Sequence, residues 1–317
     1  MHEFGSVMAT RVTRATTSAS RKARRSEAVA TGPFGTLSHD ELGVIVDGLA
    51  DPLQPVVAVA LSSTCLGLRA PLLAALEVLK ERHARAVALC RKLGMRCANL
   101  RVAKKLDGYK KDLTADDMAT LSMLLPKWLP RLQQLDLGAN RFGDAGVQVL
   151  CEGLGLCAAL PSLIIIDLSN NNIRLAGAEA FAAALRRVAL PKLAGVNLIG
   201  NPLGNQGVAA LAAPLHQLPA LQILYLTACA IGNEGVASLV ANLGKNDFKE
   251  LVWLCAVQGR ILANKITDLG LATMVTALDA GGLPKLRVDH PETFLHGNPA
   301  SDSAVKAVIA ALAKRSQ

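Results

Sequence analysis

Four segments of this chain open on Leu-Pro and then keep one spacing: LPRLQQLDLGANRFGDAG from Leu129, LPSLIIIDLSNNNIRLAG from Leu160, LPKLAGVNLIGNPLGNQG from Leu190 and LPALQILYLTACAIGNEG from Leu218. Their first core leucines, Leu132, Leu163, Leu193 and Leu221, step by 31, 30 and 28 residues. A period of this size means stacked units, each too small to bury its own apolar face, with a core that runs continuously from one unit to the next.

Within each unit, apolar residues alternate at period two before a polar column formed by Asn140, Asn171, Asn201 and Cys229. Alternation predicts a short strand with inward core residues. The following segments, Asp144 to Leu150, Ala176 to Leu185, Gln206 to Leu215 and Glu234 to Leu243, place apolar residues three and four apart and predict a helix with one buried stripe. The Asn column stands where the chain leaves the strand. Backbone groups buried there lose their ladder partners, and a side-chain amide can replace them. A glycine column, Gly146, Gly177, Gly207 and Gly235, implies either close packing or a turn with positive φ. Gly138 and Gly143 have the spacing that begins a phosphate-binding loop, but Asp144 follows where that loop needs its lysine, so these glycines read as architectural.

The pattern L-x-x-L-x-L-x-x-N/C-x-L resembles the leucine-rich repeat, and the unit length resembles the ribonuclease-inhibitor subclass. That resemblance implies an α/β solenoid, a right-handed β-α horseshoe with a parallel sheet on the concave side. It extends over roughly Arg101 to Gln317. Upstream, DGYKKDLTADDMATLSMLL is a degenerate first unit, with Leu113 in the Ile position and Thr114 to Asp117 as a capping box. Downstream, FKELVWL continues if eight residues, Cys255 to Leu262, are skipped, and LPKLRV rejoins at Thr293 if Asp289 to Glu292 loop out. About seven units result.

Before the repeats, residues 1–36 are rich in Ser, Thr, Ala and Arg, lack apolar periodicity, and are expected to be a disordered basic tail. Its RKARR run fits a nuclear signal, its scarcity of acids an organelle transit peptide, and its composition a plain solvated tail. Residues 37–72 begin with a capping box at Ser38 to Glu41 and resemble an F-box. By that resemblance Leu37, Leu42, Ile45 and Leu49 would contact a Skp-type adaptor of a cullin ubiquitin ligase. The other reading is a helical cap on the solenoid's open end. Residues 73–100 are expected to hold a connecting helix that runs from Pro71 to Arg96 and carries a basic face.

The net charge of +9 suggests nucleic acid until it is partitioned. Residues 1–36 carry six Lys/Arg against two acids and residues 77–111 eleven against three, leaving 17 against 20 elsewhere. On that count no nucleic acid is expected for the repeat domain. The apolar run from Gly153 to Ile166 has 14 residues against the ~20 a spanning helix needs, so no transmembrane segment is expected. Seven scattered cysteines, without a C-x-x-C pair, point to a reduced intracellular protein, cytoplasmic or nuclear, with no metal site. No nucleophile, acid-base pair or cofactor motif appears, so a non-catalytic, cofactor-free binding module is expected. Ran-type GTPase activation is a distant alternative, by resemblance, with Arg141 or Arg174 as the transition-state group. The strand residue between the second and third core positions faces the concavity. That column, read as Asp136, Asp167, Asn197, Tyr225, Val252 and Phe294, is the candidate partner-binding site, grading from acidic to aromatic.

Overall fold

The computed structural model describes residues 50–64, 66–156, 160–187, 190–241, 243, 247–255, 264–286 and 297–314. Two compact units divide the chain, one ending at Ala86 and one beginning at Val87.

In the first unit, helix α1 (Val56–Thr64) follows Pro55; α2 (Leu66–Lys92), whose last residues belong to the second unit, starts five residues before the expected Pro71. Pro71 thus stands in the second turn, where its missing N–H leaves one i→i−4 bond unmade, and it does not mark the start of the helix. His83 Nδ1 lies 2.7 Å from the Pro52 carbonyl oxygen, tying α2 to the segment before α1. The helix stops at Gly94, whose φ of 69° lets Met95 N–H donate to the Cys90 carbonyl at 2.9 Å.

The second unit is the repeat array. After α3 (Cys97–Leu100) come β1 (Lys105–Asp107), α4 (Ala115–Trp128), β2 (Gln134–Asp136), α5 (Gly143–Leu156), β3 (Ile165–Asp167), α6 (Leu175–Arg187) and β4 (Gly195–Asn197). The order continues with α7 (Gly204–His216), β5 (Ile223–Tyr225), α8 (Asn233–Val240), β6 (Trp253–Cys255), α9 (Asp268–Asp279) and α10 (Asp302–Ala313). The six strands form one parallel sheet in sequence order. Their middle residues, Leu106, Leu135, Ile166, Val196 and Leu224, are buried against the helices. Successive helices pack side by side, closely enough that a Cβ on Gly153 of α5 would run into the Ser122 backbone of α4.

The turns after β1, β2, β3 and β5 carry left-handed residues on both sides of the column position: Lys110 and Asp112, Ala139 and Arg141, Asn170 and Asn172, Ala228 and Ala230. Each is an uncommon conformation for a non-glycine residue. The column side chains hold these turns. Asn171 Oδ1 accepts from Asn140 N–H (3.0 Å) and Arg141 N–H (2.9 Å) of the preceding repeat, and its Nδ2 donates to the Leu137, Leu168 and Ser169 carbonyls. Asn140, Asn201 and Asn264 act alike, and Asn298 accepts from Ile266 N–H at 3.1 Å, extending the ladder into the seventh repeat.

A second ladder links the helix starts. Asp144 Oδ1 accepts from Arg174 N–H (2.7 Å) and Gly177 N–H (3.0 Å) of the next repeat. Asn205 does the same for Gly232 and Gly235, and Asn233 for Thr267 and Gly270. Asp268 accepts from Ser301 N–H at 2.6 Å. In the first and third repeats the equivalent residues are Ala115 and Leu175, which have no acceptor. There the following repeat begins with Gly143 or Gly204 at φ 65° and 66°, and that amide turns forward instead, to the Asn171 or Cys229 carbonyl. Repeat boundaries thus come in two modes, set by one residue on each side. The glycine column has the close-packing role: a Cβ on Gly177 would sit 2.6 Å from Asp144 Oδ1.

Candidate functional site

The face of the sheet opposite the helices presents the residues on either side of each buried middle position. Cα pairing aligns Asp107, Asp136, Asp167, Asn197, Tyr225 and Cys255 in one column. Asp136, Asp167, Asn197 and Tyr225 therefore stand together as expected. Asp107 extends the acidic end and was not anticipated, because the first repeat lacks the Asn that marks the others. Val252 is a correction. Leu251 N–H donates to the Phe248 carbonyl just as Leu221 N–H does to Leu218, so Phe248 holds the Leu-Pro leucine's place with Lys249 replacing the proline. Val252 then lies three residues before Cys255, and its N–H pairs with the Gln222 carbonyl. Eight positions separate Leu221 from Cys229 and thirteen separate Leu251 from Asn264, so the insertion is five residues, after Cys255, rather than eight. Phe294, and the adaptor candidates Leu37, Leu42, Ile45 and Leu49 with their capping box, lie outside the described residues.

Each polar member of the column also closes a local turn. The side-chain oxygens of Asp107, Asp136, Asp167 and Asn197 accept from the amides two residues on, Tyr109, Gly138, Ser169 and Ile199, at 3.3, 3.1, 2.8 and 3.0 Å. Asn197 Nδ2 donates to Asp167 Oδ2 at 2.6 Å, joining neighbouring strands. Burial pushes the Asp136 carboxyl above its ordinary range; the Gly138 amide opposes this, while the carboxylates of Asp167 and Asp107 reinforce it. The acidic end is therefore a concentrated negative patch, held by backbone bonds that an amide side chain could make equally well.

Other sequence candidates fall into structural roles. A Cβ on Gly138 would meet Ser169 Oγ at 2.8 Å, which confirms its architectural reading. Arg141 and Arg174 are exposed on the strand-to-helix turns. Cys151 is buried, and burial pushes its thiol and that of Cys229 up to about 12, which makes both poor nucleophiles. Among the described residues no cluster of His, Cys, Asp and Glu could hold a metal ion, and no helix is long and apolar enough to cross a membrane.

Parallel sheet, Asn ladder and helical outer layer together define a leucine-rich repeat solenoid, and a family model described as Leucine Rich repeat matches residues 130–151, 159–182 and 217–240. The chain is 37% identical over 167 residues to the Tonsoku-like protein of Bos taurus, an alignment covering 48% of this chain and 12% of that protein. It is 30% identical over 153 residues to the ribonuclease inhibitor of Sus scrofa, covering 48% of this chain and 31% of that one. The chain thus aligns with under a third of either relative's length. The repeat array is of the ribonuclease-inhibitor-like type, an architecture used as a protein-interaction module.

Proposed function

We propose that the repeat domain binds a protein partner on the open face of its sheet, with Tyr225 as the anchor and Asp107, Asp136 and Asp167 steering a basic segment of that partner. The supporting observation is the in-register column, which sets three carboxylates at one end of a face and an aromatic ring further along it. Aromatic side chains supply a disproportionate share of interface energy, and charge complementarity mainly speeds encounter. Phe294 belongs to the same proposal as a second anchor.

A photo-crosslinking residue placed at Tyr225 should capture the partner from native extract, whereas one at exposed Glu152 on α5 should not. Capture at Glu152 alone would move binding to the helical side. With the partner in hand, Tyr225→Ala should weaken affinity by roughly 1 to 3 kcal/mol. Asp136→Asn with Asp167→Asn should slow association and flatten its salt dependence while leaving the turns closed. A carboxyl whose folded-state pKa is raised favours folding below its unfolded pKa and loses that contribution as pH rises through the folded value. Removing the Asp136 charge therefore leaves stability at neutral pH unchanged or slightly higher, so a lower melting temperature there would contradict this account.

A further inference from the structure

Net charge hides how the charge is arranged in the repeat domain. Because the strands are parallel and every connection runs through a helix, all helix-to-strand loops lie along one edge of the array and all strand-to-helix turns along the other. The segment before β1 carries Arg96, Arg101 and Lys104; the loop before β2 carries Lys127 and Arg131; the loop before β4 has Arg186, Arg187 and Lys192 nearby. All eight are exposed, and the sequence of these segments and of the loops before β3 and β5 contains no acid. The opposite edge mixes the signs, with Asp112, Asp116, Asp117 and Asp144 beside Lys110, Lys111, Arg141 and Arg174.

Complementing the helix carbonyls explains part of this arrangement, since Arg187 Nε donates to the Ala183 carbonyl and Arg186 Nη2 to that of Ala210. It does not explain Arg96, Lys104, Arg131 and Lys192, which stand outside the helices. Two further features narrow the occupant. The leucines of these loops, Leu129, Leu132, Leu160, Leu163, Leu190 and Leu193, are all buried, so among its described residues the edge offers charge with Val102 as the exposed large hydrophobic side chain. The Trp128 ring is attended by Arg101 at 4.8 Å and Lys127 at 4.9 Å, so it serves the cations rather than standing bare for stacking. Protein interfaces need desolvated anchors, and single-stranded nucleic acid needs aromatic platforms; a duplex backbone needs only cations at phosphate reach. Helices spaced about 8 to 10 Å apart spread the charge from α4 to α6 over roughly 20 Å, enough for several phosphates.

We propose that the helix-to-strand edge of the first four repeats is a sequence-independent docking surface for the phosphate backbone of a nucleic-acid duplex. The expectation of no nucleic acid rested on a sum that set Arg96, Arg101 and Lys104 aside with residues 77–111 and offset the other five cations against acids elsewhere in the chain.

The test uses the full chain and a fluorescently labelled 20-base-pair DNA duplex, read by anisotropy. Binding is expected at 50 mM salt, falling roughly several-hundred-fold by 200 mM if about five phosphates are neutralised. Arg131→Glu with Lys192→Glu should lower affinity at least tenfold at unchanged melting temperature, with the glutamine pair as a milder second variant. Reversal of Arg21, Lys22, Arg24 and Arg25 should leave most of the binding in place. The proposal is overturned if the tail variant alone abolishes binding. It is equally overturned if a polyglutamate peptide competes as well as unlabelled duplex, which would identify an acidic protein segment as the occupant.

Discussion

Asn171 shows how much one side chain does here. It is fully buried, accepts two amides from the preceding repeat and shares its two hydrogens among three carbonyls. Replacing it with alanine orphans the Asn140 and Arg141 amides of one left-handed turn and takes a donor from the Leu137, Leu168 and Ser169 carbonyls, so Asn171→Ala should cost about 2 to 4 kcal/mol in urea denaturation. Asn171→Cys should cost less, because a thiol still donates, as Cys229 Sγ does to the Leu198 and Thr227 carbonyls at 3.2 and 3.4 Å. Equal losses for the two variants would mean that the donor half of the amide contributes nothing. Asp117 follows similar logic at the first helix start. Burial alone would raise its pKa, but bonds from Lys92 at 2.6 Å and from the Thr114 amide and hydroxyl outweigh it and hold the carboxyl below the ordinary range.

At the level of elements, the two boundary modes predict a coupling. Gly204→Thr forces a β-branched residue towards φ 66° and should destabilise by about 1 to 2 kcal/mol. Adding Leu175→Asp supplies the missing acceptor behind it, as Asn233 does for Thr267. The pair should then couple favourably by about 1 kcal/mol in a double-mutant cycle, and strictly additive losses would rule the mode switch out. The strands and helices of the four regular repeats were legible because leucine spacing and period change are imposed by burial. Two things were not. Gly143 and Gly204 differ from Gly232 only through what the preceding repeat supplies, which no local pattern displays. The register of β6 slipped because Leu251 satisfies the leucine spacing at either of two positions, and only the turn to Phe248 separates them. For the candidate site, alternation located the column, but the turn-closing role of its carboxylates depends on backbone geometry.

Across the whole molecule, the distribution of side chains is segregated in three directions. In the repeat array apolar residues point to the helices, acids gather at one end of the open face, and the helix-to-strand edge of the first four repeats carries cations without acids, while the strand-to-helix turns hold both signs. The proposed protein site and the proposed duplex site therefore occupy different surfaces of one array, and each has variants that should leave the other untouched. Both depend on the stacking being continuous, because a single repeat fixes neither column nor edge.

The boundary rule also says which lengths of this chain remain viable. Removing residues 163–192 brings Asp144 up against Gly204, and a glycine can face its amide backward, as Gly232 does towards Asn205 at 2.7 Å. Removing residues 132–162 instead sets Ala115 before Arg174, whose amide would have neither an acceptor behind it nor the freedom to turn forward. The first shortened protein should melt higher than the second, by the equivalent of about 1 kcal/mol at the new junction. Solenoids of this kind thus carry a grammar for growth and loss, in which a glycine-led repeat can follow any neighbour and an arginine-led one cannot.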